Sequence, residues 1–332
     1  MGVEKEAIVL DAAIIVTYRC NAHCQMCNTW KYPSRKEEEI TLTDISKLPD
    51  RMGYVNLTGG EPMLRDDIEE IVAILSKKAR KVELSTNGYF TDRIVELARR
   101  FRDIRVRVSL EGLPKVNDEI RGLKNGFDHG LRTILRLKEL GIKDIGFGMV
   151  IQDSNAGDLL DFYYLTKHLG IEFGQATPHN SFYFHKMDNK IADPEGVRAA
   201  VRDLIRAFLR SNKPKLWLRA YVNLGIIAFI NDEARVLPCG AGTDLFFLDP
   251  YGDIYPCNVM EESMGNIRQA TFEEIWKSSR AWQVREMVEN CPQNCWMVGT
   301  ARPAMMRHPV KSILWVVKNK ARLLLGKDVA WC

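Results

Sequence analysis

Apolar residues in the first two-thirds of the chain fall into two alternating kinds of run. Short runs, mostly of Val, Ile and Leu, occupy residues 12–17, 54–58, 82–86, 105–110, 145–150 and 171–176, and they read as strands buried on both faces. Between them the apolar spacing becomes helical and start and stop signals appear. Thr41-Leu-Thr-Asp, Asp66-Asp-Ile-Glu-Glu and Thr91-Asp-Arg-Ile each open a helix. The helical patterns 127–140 and 155–169 stop at Gly141 and Gly170. Repeated strand–helix units imply a parallel sheet with crossover helices. Six units are too few to close an eight-fold barrel, so the expected fold is α/β, a partial (β/α)6 TIM-like barrel, with its chemistry at the carboxyl ends of the strands. The pattern then changes. Residues 194–210 and 216–230 read as linking helices. From Cys239 the chain is loop-rich, with short apolar pieces at Leu245–Leu248 and Asp253–Tyr255 and a helical pattern over 271–288. The expected organisation is a barrel over 1–190, linking helices over 191–235, a small cysteine-rich module over 236–298 and a basic amphipathic tail over 299–332.

Composition narrows the class. The chain has 332 residues, 46% hydrophobic and 27% charged, which fits a globular protein with a sizeable core. A formal charge of +4 gives no argument for nucleic acid. No apolar run is long enough to span a bilayer, and the first residues lack the order of a signal peptide, so the expected location is the cytoplasm. The eight cysteines are grouped: Cys20, Cys24 and Cys27 near the start, then Cys239, Cys257, Cys291, Cys295 and Cys332. Two distant groups in an unexported chain read as metal sites, not as a disulfide framework.

The first group follows the first strand with the spacing C-x3-C-x2-C. Thiolates suit zinc or iron–sulfur clusters. Three thiolates on a cubane leave one iron open to a substrate or cofactor. A zinc knuckle completed by His23 is the competing reading, but chelating one ion with both His23 and the adjacent Cys24 is awkward. The motif and its place resemble those of the radical SAM superfamily, in which S-adenosylmethionine (SAM) binds the open iron of a [4Fe–4S] cluster. Met26 stands where that family often has an aromatic residue.

Later strand ends extend the resemblance. Thr58-Gly-Gly-Glu-Pro62 is similar to the family's GGEP motif, which implies that Gly59, Gly60, Glu61 and Pro62 meet the SAM amino group; paired glycines allow close backbone approach, and an acid can accept hydrogen bonds from an ammonium. Ser85-Thr-Asn-Gly88 and Ser109-Leu-Glu-Gly112 resemble positions that bond SAM ribose or carboxylate, which makes Ser85, Asn87, Ser109 and Glu111 candidates. Arg121, in Asn117-Asp-Glu-Ile-Arg-Gly122, resembles an arginine that meets the SAM carboxylate or the substrate; a solvated surface arginine is the rival reading. The resemblance implies reductive cleavage of SAM to methionine and a 5′-deoxyadenosyl radical, which takes hydrogen from a substrate. An electron donor such as flavodoxin or ferredoxin is implied with it.

Cys239, Cys257, Cys291 and Cys295, spaced C-x17-C-x33-C-x3-C, can enclose a second cluster or a structural zinc. With Gly252 five residues before Cys257 and the later Gly265-Asn-Ile267, they resemble the auxiliary module of SPASM/twitch radical SAM enzymes. Four cysteines fit the shorter twitch form, with one auxiliary [4Fe–4S] cluster, and Cys332 is read as a free thiol.

The expected substrate is a small molecule. Nothing as large as a leader-binding domain fits before Cys20, and analogy with a twitch enzyme points to oxidation of a sugar, polyol or aminocyclitol. A maturase of ribosomal peptides and an epimerase are the alternatives. Among His179, Tyr183, His185 and Arg121, His179 is the first candidate for a base, being nearest the sixth strand end, with Arg121 second. The tail, basic and free of acid from Arg302 to Lys327, reads as a helix packed on the barrel or, alternatively, as a peripheral membrane contact.

Overall fold

The computed structural model describes residues 10–331. Six parallel strands stand where the apolar runs place them: β1 (Asp11–Ile15), β2 (Val55–Thr58), β3 (Val82–Thr86), β4 (Arg105–Ser109), β5 (Ile145–Val150) and β6 (Glu172–Ala176). Each is hydrogen-bonded to the next in chain order, giving the open, partial TIM-like barrel. The connecting helices are α1 (Leu42–Ser46), α2 (Ile68–Lys78), α3 (Thr91–Arg100), α4 (Pro114–Arg121), α5 (Gly126–Glu139) and α6 (Leu159–Leu169). Thr41 and Asp44 form a reciprocal capping box on α1, which is why so short a helix starts cleanly. The sequence pattern did not foresee α4: its eight residues carry too few apolar positions for a periodic signal, although Pro114 opens it and Gly122, at φ 55°, closes it.

The cysteine-rich region is built onto the barrel's own sheet. Strand β7 (Leu245–Leu248) pairs in parallel with the free edge of β1, Asp11 opposite Leu245 through Ile14 opposite Leu248. Strands β8 (Asp253–Tyr255) and β9 (Gly265–Asn266) follow antiparallel, so one nine-stranded sheet runs from β6 to β9. All four residues of β7 are buried, as a strand covered on both faces requires.

Linking helices α7 (Pro194–Arg210) and α8 (Pro214–Ile230) pack on each other. The helix expected over 271–288 is two, α9 (Phe272–Lys277) and α10 (Ser279–Glu289). They break at Ser278, whose extended backbone and hydroxyl, accepting from Ala281 N, begin a second helix. The tail forms α11 (Val298–Arg307) and α12 (Pro309–Leu324). Helix α12 packs on α8 and α7, and Arg302 and Arg307 pair with Asp11 and Asp244. The packed-helix reading of the tail therefore holds for one face of α12. Cys332 lies outside the described residues. Among those residues no helix is long and apolar enough to cross a membrane.

Candidate active site

The loop after β1 starts from a buried ionic anchor. Glu39 accepts from Arg19 Nη2 at 2.9 Å, Arg65 Nη1 at 3.1 Å, Ser34 Oγ at 2.7 Å and Thr17 Oγ1 at 2.5 Å. Burial alone would raise the Glu39 carboxyl, but the bonds from Arg19, Thr17 and Ser34 hold it below its ordinary value. No motif announced this anchor, because its members are scattered from residue 17 to residue 65.

The thiols come next. The Cys20–Cys27 loop lies on the end of α4, with His23 N donating to Arg121 O at 2.9 Å and Gln25 N to Ile120 O at 2.8 Å. Gly122 permits this approach, since a Cβ there would sit 2.7 Å from His23 O. Ala22 N points at Cys20 Sγ at 3.4 Å, and Thr29 Oγ1 lies 3.0 Å from Cys27 Sγ. Burial pushes the Cys20 thiol up to about 12 and the Cys24 thiol up to about 11. Ligation of a metal or cluster would take these thiols in their deprotonated form. His23 is exposed and lies on Trp30, ring centres 4.4 Å apart.

Arg121 is buried, which corrects the rival reading of a solvated surface arginine. Its Nη1 donates to Glu111 Oε1 at 2.8 Å, and the charges felt most strongly by it are those of Cys24, Glu111 and Cys20. Its Nε is buried without a protein partner. An orphaned guanidinium donor beside three thiols fits an anionic ligand there, such as a SAM carboxylate.

The GGEP turn meets this loop backbone to backbone. Gly60 N donates to Thr17 O at 2.7 Å and Glu61 N to Arg19 O at 2.8 Å, while Tyr183 Oη donates to Gly59 O at 2.6 Å. Pro62 opens the short turn of helix that follows. The Glu61 carboxylate, expected to meet an ammonium, is engaged within the protein. It is fully buried, with Oε1 accepting from Thr86 Oγ1 at 2.8 Å and Met63 N at 3.1 Å and Oε2 from Asn87 N at 2.7 Å. Glu61 therefore fixes the turn, and the glycine backbone is left to approach a ligand. Asn87 Nδ2 reaches back to Asn21 Oδ1 at 2.7 Å, next to Cys20. Ser85 Oγ donates to Asn56 Oδ1 at 2.7 Å, bracing β3 on β2. Ser109 ends β4 opposite Gly148 of β5, half-buried. Glu111 is buried and holds both Arg121 and Val150 N, the latter at 2.7 Å.

Cys239, Cys257, Cys291 and Cys295 all line one cavity of about 640 Å3, with Met187, Arg235 and Met260. Val259 N and Met260 N each approach Cys257 Sγ at 3.4 Å, and Arg235 donates to Cys295 O. Among the described residues no three His, Cys, Asp or Glu side chains are close enough to hold a single metal ion. An iron–sulfur cluster spreads its thiolates over separate corners, so four cysteines around a roomy cavity fit it better than zinc. The loop after β6 joins the two cysteine sites. Asn189 Nδ2 donates to Met26 O and to His179 O, both at 3.1 Å, and His179 Nε2 takes the Asn258 amide at 3.0 Å, next to Cys257. Burial pushes His179 down to about 4.

Comparison with known proteins agrees with this geometry. The model of the radical SAM superfamily matches residues 14–163, and that of the SPASM iron–sulfur cluster-binding domain matches residues 239–297. This chain belongs to the radical SAM superfamily. Like its family, this radical SAM protein binds SAM and a [4Fe–4S] cluster, and its SPASM/twitch-type domain carries auxiliary iron–sulfur chemistry. It is 25% identical over 301 residues to the sporulation killing factor maturation protein SkfB of Bacillus subtilis, across 85% of this chain and 68% of that one. It is 25% identical over 306 residues to the AdoMet-dependent heme synthase of Methanosarcina barkeri, across 84% and 85%. Its fold matches native anSMEcpe with bound AdoMet and Cp18Cys peptide at a TM-score of 0.62 and 14% identity, over 93% and 99% of the two chains.

Proposed function

We propose that this radical SAM enzyme is a maturase that modifies a peptide by hydrogen abstraction. One observation carries the reading: similarity to a maturation protein runs through 85% of this chain, barrel and auxiliary module together. The peptide held by a protein of the same fold supports it. The substrate expected from sequence, a sugar, polyol or aminocyclitol, has less behind it. Its base, His179, already has Nε2 engaged by Asn258 and Nδ1 turned toward Thr177 O at 3.4 Å, so it serves better as a positioning residue.

In this reading Cys20, Cys24 and Cys27 hold the first cluster, and Cys239, Cys257, Cys291 and Cys295 hold the auxiliary one. When bound, the first cluster and SAM supply a 5′-deoxyadenosyl radical, with the electron delivered by a flavodoxin or ferredoxin. The protein's own part is placement. Gly59 and Gly60 admit the methionine end, Arg121 Nε meets its carboxylate, and Asn87 and Ser109 stand at the strand ends around the nucleoside. The loop from His179 to Asn189 spans from the thiol loop to Asn258 and keeps the two sites in register. A substrate that lost a hydrogen atom at the site of Cys20, Cys24 and Cys27, an electron to a cluster that Cys239, Cys257, Cys291 and Cys295 would hold, and a proton to solvent would leave about 2 Da lighter.

The test is anaerobic incubation of reconstituted enzyme with SAM, reductant and candidate precursor peptides, followed by mass spectrometry. A peptide lighter by two hydrogens, with deuterium carried from peptide to 5′-deoxyadenosine, is the expected result. Turnover of a deuterated polyol with none of any peptide would overturn the peptide reading in favour of oxidation. An unchanged mass with solvent deuterium in the peptide would turn it to epimerisation.

A further inference from the structure

Helix α12 has two unlike faces. Ser312, Trp315, Val316 and Asn319 are buried on the side that packs on α8 and α7. Val310, Ile313, Leu314, Val317 and Leu324 are exposed, Val310 at 66% and Leu324 at 84%. At 3.6 residues per turn these five fall on one stripe, opposite the buried side. Lys311, Lys318 and Arg322 run along one edge of the stripe and Lys320 lies on the other. Single exposed apolar residues are ordinary, but a continuous stripe along four turns marks an interaction surface.

The Lys320 edge leads to further cationic ground. Its ammonium donates to Leu209 O at 2.9 Å and Ser211 O at 3.3 Å. Ser211 is also part of the wall of a pocket of about 220 Å3 between α6 and α7, lined by Lys167, Arg206 and Arg210. Asp203 and Asp328 both pair with Arg206, so with Lys167 and Arg210 three cations stand against two acids and the pocket keeps a small positive excess. Lys320 itself is turned inward over the Trp217 ring, so the cations that face outward are those of the other edge and of the pocket; with the apolar stripe they match the layering of an anionic bilayer surface. A second copy of the chain would set the same cations against each other.

We propose that this face of α12 docks on an anionic phospholipid membrane, with the stripe at the acyl boundary and the flanking cations and the α6–α7 pocket at the phosphate headgroups. The inference is independent of what the active site modifies. The test is flotation of the reconstituted full chain with vesicles of phosphatidylcholine alone or with a third phosphatidylglycerol, at low and at 0.5 M salt, where the salt and lipid fractions are chosen to bracket the screening regime. Floating with the anionic vesicles at low salt, weakened at high salt, is the expected result. Double replacement Leu314→Glu and Val317→Glu should abolish it, and Lys167→Ala with Arg210→Ala should weaken binding by roughly fivefold per cation. All these variants should keep SAM cleavage and thermal midpoint, because none of the four positions lines the cavity of the auxiliary cysteines. Failure of the intact chain to float on anionic vesicles at low salt overturns the proposal. So does concentration-dependent dimerisation in lipid-free solution that the Leu314→Glu and Val317→Glu pair removes.

Discussion

Replacing Gly60 by alanine tests the central geometric claim, that the SAM-binding turn and the thiol loop must touch through bare backbone. A Cβ on Gly60 would stand 2.4 Å from Arg19 O, 2.7 Å from Tyr18 O and 2.8 Å from the Arg19 carbonyl carbon. Ordinary contact begins at 3.4 Å, so the two segments must part by the difference, 1.0 Å, along the worst contact. They cannot do so freely. Gly60 N and Glu61 N are bonded across the same seam, to Thr17 O and Arg19 O. Arg19 leads directly to Cys20, so the displacement moves the turn relative to the first cluster ligand. A misplacement of about 1 Å between reacting groups costs on the order of a hundredfold in rate, and crowding of this kind costs about 1–3 kcal/mol in stability.

The assay is 5′-deoxyadenosine formed per cluster under strong reductant, with iron and sulfide counted in every preparation and thermal midpoints measured anaerobically. Gly157→Ala is the control, because nothing lies within 4 Å of a Cβ there. Gly60→Ala should keep its iron, melt lower than the control and cleave SAM about a hundredfold more slowly. A variant that cleaves SAM within threefold of the parent while fully loaded would refute the reasoning, since the close approach would then not be what requires glycine.

Three further outcomes are expected. Glu61→Gln turns an amide NH2 or leaves a poorer acceptor toward Asn87 N, Thr86 and Met63 N, so it should cost about 1–3 kcal/mol and raise the KM for SAM, read from denaturation and from SAM-dependent deoxyadenosine formation. Cys257→Ser should lower iron content by one cluster's worth and abolish product formation while uncoupled SAM cleavage continues; equal loss of both would argue against an auxiliary role. Asp249 supplies a pH dependence. Burial pushes its carboxyl up to about 7 from 3.8. The folded protein therefore binds this proton more tightly than the unfolded chain, and the stability it adds is full below pH 3.8 and lost as pH rises through 7, amounting to about 4 kcal/mol. Asp249→Asn keeps the acceptor for Tyr251 N and Asp253 N, so it should leave stability near pH 3.5 almost unchanged, raise it by about half of that amount at pH 5.5 and by all of it at pH 8, flattening the profile. A variant profile parallel to the parent's would count against the assignment.

The parts of this protein that could be read from sequence are those whose physics is local. Val82–Thr86 and Ile145–Val150 form strands at the predicted bounds because their large apolar residues, Val82 and Leu84, and Ile145, Phe147 and Met149, recur at every second position and are all buried. The thiol spacing and the GGEP turn were legible for a similar reason, since each packs its chemistry into a few adjacent residues. What was not legible depends on partners far apart in the chain. Glu61 was read as a ligand contact, and its bracing of the turn could not be seen in sequence, because only the fold brings Thr86 and Asn87 to its oxygens. Arg121 could not be told from a surface arginine until α4 carried it beneath the thiol loop. The break at Ser278 was hidden because the apolar spacing continues through it, while the serine's capping of α10 does not disturb that spacing.

The pairing of β7 with β1 was the least predictable feature, and it joins two cysteine sites so distant in sequence to one sheet. Leu245–Leu248 by itself reads only as a short apolar piece. Paired with Asp11 through Ile14, it makes the frame of the auxiliary module continuous with the strand that delivers Cys20. The β6 loop ties the two sites a second time, through Asn189 to Met26 O and through His179 to Asn258. Two separate connections fix a separation in a way that one linker would not, because rotation about the first is blocked by the second. Loosening the second with Asn258→Ala should therefore leave both clusters loaded and SAM cleavage intact. Coupling of cleavage to product should fall, measured as deoxyadenosine formed per modified substrate. If that ratio stays at the parent's value, the sheet alone holds the register and the loop from His179 to Asn189 serves some other end.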